Sequence, residues 1–265
     1  PIPGIEMLLK QPPDFLRDKR IGLVTNPTGV DSELRSSIDL LAQHPHLHLV
    51  ALFGPEHGVR GNVQAGEKVE ASVDEATGLP VVSLYGEHRE PTAEMLEGID
   101  VLLFDIQDVG ARFYTYPYTL AGAMRAARRA GIPVVVLDRP NPIGVVRVEG
   151  PVLESRYASF VGQFPIPVRH VMTLGELARR FNDAFGIGAD LHVVPVKGWH
   201  RADAEPDTRC PGYRRRPTCR PRTPRWCIPA WPCSKAPTYP KAAEPRGPSK
   251  TSAHPSSMRS CWQRA

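Results

Sequence analysis

Four polar segments hold most of the side chains in this chain that could do chemistry, and each directly follows an apolar run. They are Thr25-Asn26-Pro27-Thr28-Gly29, Gly54-Pro55-Glu56-His57-Gly58, Asp105 through Tyr114, and Asp138-Arg139-Pro140-Asn141-Pro142. Glu56, set between Pro55 and Gly58, suits a sharp turn that presents its carboxylate, and His57 beside it could tune or orient it for general acid–base work. The plainer alternative is a glutamate capping the next helix. Asp105 and Asp108 flank Gln107, which reads as a second carboxylate with hydrogen-bonding groups for a ligand. Alternatively, one of the two acids holds the loop, for instance by pairing with Arg112. Asp138-Arg139 reads as a local ion pair with Asn141 facing the ligand. Tyr114 and Tyr116 suit stacking or rim packing, and His170 is either a site member or a satisfied structural histidine. Glu87, His88 and Glu90 read as solvated charge in a turn.

Other chemistries lack their local patterns. His57, Asp105, Asp108, Asp138 and His170 are ligand types, but no HxH, HExxH or HxxxD spacing joins them, so no metal is expected. No GxGxxG follows a strand, no GxSxG elbow is present, and no cofactor is expected. Residues 1–207 contain no cysteine.

The apolar runs define the scaffold. Strands are predicted over Arg20–Thr25, Leu47–Phe53, Val101–Ile106, Pro133–Asp138 and Leu191–Val196. Helices are predicted over Glu33–Gln43, Pro91–Leu96, Tyr118–Ala130 and Thr173–Phe185, the last with Thr173 as N-cap. Gly144–Val168 reads as mixed and strand-rich. Continuous apolar strands alternating with helices indicate an α/β fold, a mainly parallel sheet with helices on both faces. In such sheets the loops at the carboxyl ends of the strands form one rim, where ligands bind.

The chain has 265 residues and a formal net charge of +5, which conceals two compositions. Of 33 Lys/Arg and 28 Asp/Glu, 13 and 1 lie after Asp207, leaving 20 against 27 before it. All 5 cysteines also lie in this tail. A disordered basic arm and a disulfide or metal module are two readings, but no CxxC is present and the cysteine count is odd. The third is translation in a wrong frame. The codons TGG GTA CCG CCG TCG CCC AAC ATG encode Trp-Val-Pro-Pro-Ser-Pro-Asn-Met, and read one base later they give the sequence from Gly212 to Cys219. The third reading is adopted, so the basic charge carries no expectation of nucleic acid. No run approaches the roughly 18–20 apolar residues of a membrane span. No signal segment is visible, and the true N-terminus is expected to lie outside the chain.

Gly22 to Gly29, Leu52 to Gly58, Asp105 to Tyr116, Val136 to Pro142 and Ser159 to Gly162 closely resemble the NamZ exo-β-N-acetylmuramidases. The resemblance runs from about Gly4 to Arg201. It implies a Rossmann-like domain at 1–143, the start of an auxiliary α+β domain at 144–203, and a frameshifted, disordered tail at 204–265. The family's continuing Trp-Val-x-Pro-Ser-Pro-Asn-Met-Pro segment is what the shifted codons restore. It also implies an exo-acting glycoside hydrolase that removes N-acetylmuramic acid from non-reducing ends of peptidoglycan fragments, placed extracellularly or in the periplasm, with the cytoplasm as the alternative. The rival is a non-catalytic muropeptide-binding protein or an inactive fragment.

Glycoside hydrolysis uses one acid to protonate the leaving oxygen and a second group to assist at the anomeric carbon. On this resemblance Glu56, His57 and Asp105 are the expected catalytic group, and Asn26, Gln107, Asp108, Arg112, Tyr114, Arg139, Asn141 and His170 the substrate-binding one. Arg112 or Arg139 would take the lactyl carboxylate that distinguishes muramic acid from glucosamine. The chain departs from the family at His170-Val171, where His-Gly is common.

Overall fold

Buried, β-branched runs build the centre of the molecule. The structure is a computed structural model that describes residues 1–56, 58–61, 72–86, 88–144 and 146–201. Its strands are β1 (Arg20–Thr25), β2 (His48–Gly54), β3 (Ser72–Val73), β4 (Pro80–Ser83), β5 (Val101–Asp105), β6 (Val134–Leu137), β7 (Glu149–Val152), β8 (Pro167–Arg169) and β9 (Leu191–Val194). The helices are α1 (Gly4–Lys10), α2 (Ser37–Ala42), α3 (Tyr116–Ala130) and α4 (Leu174–Asp183).

Seven strands form one sheet in the order β3-β4-β2-β1-β5-β6-β9, parallel except for β3 against β4. Side chains alternate between its faces, as the pleat requires. Ile21, Leu23, Val101, Leu103, Val135 and Leu137 pack with Ile5 and Leu8 of α1 and Ile38 and Leu41 of α2. Val24, Leu102, Phe104, Val134 and Val136 pack with Leu120 and Met124 of α3 and Leu177 and Phe181 of α4. Both faces are therefore covered, which is why these strands read as unbroken apolar runs rather than alternating ones. None of the helices among the described residues is long and apolar enough to cross a membrane.

Two expectations are corrected. The helix expected from Glu33 starts only at Ser37, because Asp31 Oδ1 accepts the backbone N–H groups of Glu33 and Arg35 at 2.9 and 2.8 Å. That loop delivers Ser36 as the N-cap, its hydroxyl accepting from Ile38 N. The helix expected at Pro91–Leu96 shortens to a single 3₁₀ turn at Glu94–Leu96. Of the stretch after residue 143, β9 pairs in parallel with β6. Only β7 and β8 of that stretch form a separate, two-stranded sheet. The expected tail, residues 204–265, and the site and turn candidates His57 and Glu87 lie outside the described residues.

Thr173 caps α4 as expected. Its hydroxyl accepts from Glu176 N and the Glu176 carboxylate accepts from Thr173 N, a capping box that satisfies two otherwise unpaired amides.

Candidate active site

From β1 the chain passes to β2 on one side and later to β5 on the other, so the loops leaving β1 and β5 diverge at a topological switch point. All four polar segments leave carboxyl ends of strands along this one rim, after β1, β2, β5 and β6. The loops are tied to each other. Gln107 N donates to Thr28 Oγ1 at 2.9 Å, and Gln107 Nε2 donates to the carbonyls of Asp108 and Pro140, both at 2.8 Å. Asn26 shapes its own turn, its Oδ1 accepting from Thr28 N and Thr28 Oγ1. Asn141 Nδ2 donates to the Met172 carbonyl at 2.9 Å, which fastens the β6 loop to the segment before α4. Gly110, at φ 85°, lets that loop pass against Asn141, since a Cβ there would lie 2.3 Å from Asn141 Oδ1.

Asp105 and Arg139, expected to face the ligand, face each other instead. Arg139 Nε and Nη2 donate to the two Asp105 oxygens at 2.6 and 2.9 Å, and the side chains are 1% and 0% exposed. Ser37 Oγ adds a short hydrogen bond to Asp105, and Arg139 Nη2 reaches the Val30 carbonyl. Arg139 therefore does not pair with Asp138, whose carboxylate accepts from Arg139 N, Gly175 N and Thr173 Oγ1. Arg112 is not paired with either loop acid. Its Nη1 donates to the carbonyls of Pro151 and Ile166, holding the β7–β8 hairpin against the rim. Tyr114 is half-buried, its ring 5.7 Å from that of Phe113. Between Gln107, Asp108, Arg139 and Asn141 only about 10 Å³ of water-sized space remains, too little for a sugar. These residues form the floor beneath the rim.

Glu56 stands apart. It is half-buried at the end of β2, in a turn closed by Gly58 N donating to the Pro55 carbonyl at 3.0 Å. Its carboxylate has no hydrogen bond or ion pair among the described residues.

Asp108 and His170 make a buried, loosely engaged pair. His170 Nδ1 accepts from Met172 N at 3.2 Å, so a neutral ring carries its proton on Nε2, 3.8 Å from Asp108 Oδ2. Asp108 Oδ2 accepts from Gly110 N, while Asp108 Oδ1 and His170 Nε2 have no hydrogen-bond partner among the described residues. At that spacing burial dominates both groups. It pushes the Asp108 carboxyl up from 3.8 to about 6 and the His170 imidazole down from 6.5 to about 4.

The two shifts act oppositely on stability. Folded Asp108 holds its proton more tightly than unfolded, so its contribution falls as pH rises from 3.8 to about 6. Folded His170 holds its proton less tightly, so its contribution rises with pH from about 4 to 6.5. Asp108→Asn is expected to leave the rising slope uncovered, and His170→Asn, which keeps an acceptor for Met172 N, the falling one. Urea midpoints across this range check it; parallel profiles for wild type and both variants would refute the opposition.

Val171, the departure from the family's glycine, sits between these anchors at φ 55°. A β-branched residue is strained there, whereas glycine is not. Val171→Gly is expected to stabilise the fold by about 1 kcal/mol, the αL penalty less the entropy glycine adds to the unfolded chain. Thermal melts should show a rise of about 2–4 °C. A fall would mean that the Val171 side chain contributes more than its backbone costs.

Among the supporting groups, sequence reasoning missed Ser37, Thr28 and Gly110. Ser37 carried no local signal, because its partner Asp105 lies 68 residues away.

A doubly wound α/β sheet with a half-buried acid at its carboxyl-end rim and a hydrogen-bonded floor beneath defines a ligand-binding domain of the Rossmann-like class. Within that class the chain belongs to the family described as exo-beta-N-acetylmuramidase NamZ, N-terminal, whose model matches residues 21–221. It is 58% identical over 208 residues to the peptidoglycan beta-N-acetylmuramidase NamZ of Bacillus subtilis (strain 168), covering 78% of this chain and 50% of that protein. Two crystal structures of DUF1343 family proteins from Bacteroides fragilis NCTC 9343 share the fold. One is 50% identical with a TM-score of 0.74, covering 79% of this chain and 53% of its own. The other is 37% identical with a TM-score of 0.66, covering 76% and 53%. The chain thus spans about half the length of these relatives.

Proposed function

We propose that this chain is the acid-bearing half of an exo-acting glycoside hydrolase that removes N-acetylmuramic acid from non-reducing ends of peptidoglycan fragments. The reading is supported by family membership and by the name of the Bacillus relative. The observation that carries it is Glu56, a carboxylate at the rim that no described residue occupies. Glu56 protonates the glycosidic oxygen as the bond breaks. Asp105, held by Arg139 and Ser37, takes no part in proton transfer and fixes the β5 and β6 loops instead.

The test is release of free sugar from a disaccharide with N-acetylmuramic acid at its non-reducing end, followed across pH. Release is expected from that substrate and not from its N-acetylglucosamine-terminated analogue. Binding of the disaccharide with no release at any pH would replace the enzyme reading with that of a muropeptide-binding protein.

A further inference from the structure

The Ser159–Gly162 segment belongs to the motifs that resemble the family, yet nothing above gives it a role. It folds into a tight turn, with Ser159 N donating to the Gly162 carbonyl at 2.8 Å and Gly162 N donating back at 3.1 Å. This turn, the segment at Arg89 and Glu90, and α3 line an open surface cavity of about 330 Å³. Glu90, expected to be solvated, is instead bound to α3. Arg125 Nη2 lies 2.6 Å from Glu90 Oε1 and Arg129 Nη2 lies 3.1 Å from Glu90 Oε2. Gly122 allows the close approach, since a Cβ there would meet Glu90 Cγ at 2.9 Å.

The cavity therefore carries surplus positive charge. Among the described residues, Arg89 and Arg125 line it against one carboxylate, that of Glu90, which Arg129 further neutralises. Arg89 is exposed, has no ion pair among the described residues, and lies with its guanidinium carbon 4.1 Å from the Phe160 ring centroid. Stacking of this kind restrains the guanidinium and leaves its N–H edge open, the arrangement that suits a planar, two-oxygen anion. Gln163 Oε1 accepts from Arg125 at 3.2 Å, which leaves the Gln163 amide N–H₂ group for a ligand. Tyr118, also on the wall, donates its hydroxyl to the Arg112 carbonyl at 2.6 Å and so ties the cavity to the β5 rim loop.

We propose that this cavity is a carboxylate-binding subsite for the peptidoglycan fragment, with Arg89, stacked on Phe160, as the residue that recognises the charge. It takes over the role expected of Arg139, whose guanidinium is committed to Asp105, and of Arg112, whose Nη1 holds backbone carbonyls. The proposal deepens and rests on the muramidase reading. The carboxylate has two sources: the lactyl group of N-acetylmuramic acid, or the stem peptide, in whose presence the lactyl carboxyl is an amide.

The test is calorimetric titration of the full chain with N-acetylmuramic acid, with N-acetylmuramyl-L-alanyl-D-glutamate and with N-acetylglucosamine. Arg89→Gln is expected to weaken binding of a carboxylate ligand about tenfold, the scale of one charge-assisted contact, and to leave N-acetylglucosamine unchanged. Arg89→Lys should recover part of the loss, because the charge returns without the fork. A loss confined to N-acetylmuramic acid assigns the lactyl group, and one confined to the peptide ligand assigns the stem. Unchanged affinity of Arg89→Gln for both ligands overturns the subsite while leaving the muramidase reading intact. Failure of the wild-type chain to bind either overturns both. Because Arg89 is exposed, denaturation midpoints of the variants should match wild type.

Discussion

Arg139→Met is expected to destabilise the chain by about 3–5 kcal/mol, a large share of the roughly 5–15 kcal/mol that holds a domain folded. The substitution leaves the fully buried Asp105 carboxylate with the Ser37 hydroxyl as its remaining side-chain partner and strips the Val30 carbonyl of a donor. An unpaired carboxylate at that depth must either take up a proton or admit water. The cost comes from the charge left behind more than from the lost attraction. Arg139→Met combined with Asp105→Leu should therefore recover most of the stability, since a buried pair replaced whole by apolar groups is often neutral. Urea denaturation of the two single variants and the double closes the cycle. A loss under about 1 kcal/mol for Arg139→Met would show that the pair is solvated in solution and that Arg139 is available to a ligand after all.

The same pair marks where the sequence stops being readable. Val101 to Asp105 and Val134 to Leu137 were legible as strands because each is buried on both faces, so composition alone reveals them. Their loops were legible as one rim because a parallel sheet puts every carboxyl end on the same edge. Which loop residues face outward was not legible. Asp105 ends β5 and Arg139, 34 residues on, follows β6, so only the register of β5 against β6 brings them together. The neighbour in sequence, Asp138, looked like the partner of Arg139 and instead anchors the start of α4. The helix expected from Glu33 failed for a related reason, because the Asp31 carboxylate offered the backbone a loop of its own. Edge elements went unread as well: β3 has 2 residues, both exposed, and β4 fully buries only Val81, so neither carries the buried run that reveals a central strand.

Glu56→Gln is expected to lower release of N-acetylmuramic acid by about 10²–10⁴-fold, the usual contribution of a positioned acid or base. Stability should stay within about 0.5 kcal/mol of wild type, because the half-buried carboxylate has no partner among the described residues to lose. That separates it from substitutions at Asp105, which would lower activity by unfolding the floor. The nature of the leaving group supplies a sharper criterion. An alcohol must be protonated as it departs, whereas a nitrophenolate is stable as an anion and needs little help. If Glu56 is the acid, Glu56→Gln should keep far more activity on an aryl N-acetylmuraminide than on the natural disaccharide. The limb of the kcat/KM profile on its alkaline side should also disappear, because glutamine has no proton to lose. Equal losses on both substrates would assign Glu56 to binding or orientation. Full activity on the disaccharide would remove it from the reaction and leave the rim without the one carboxylate that the described structure offers to substrate.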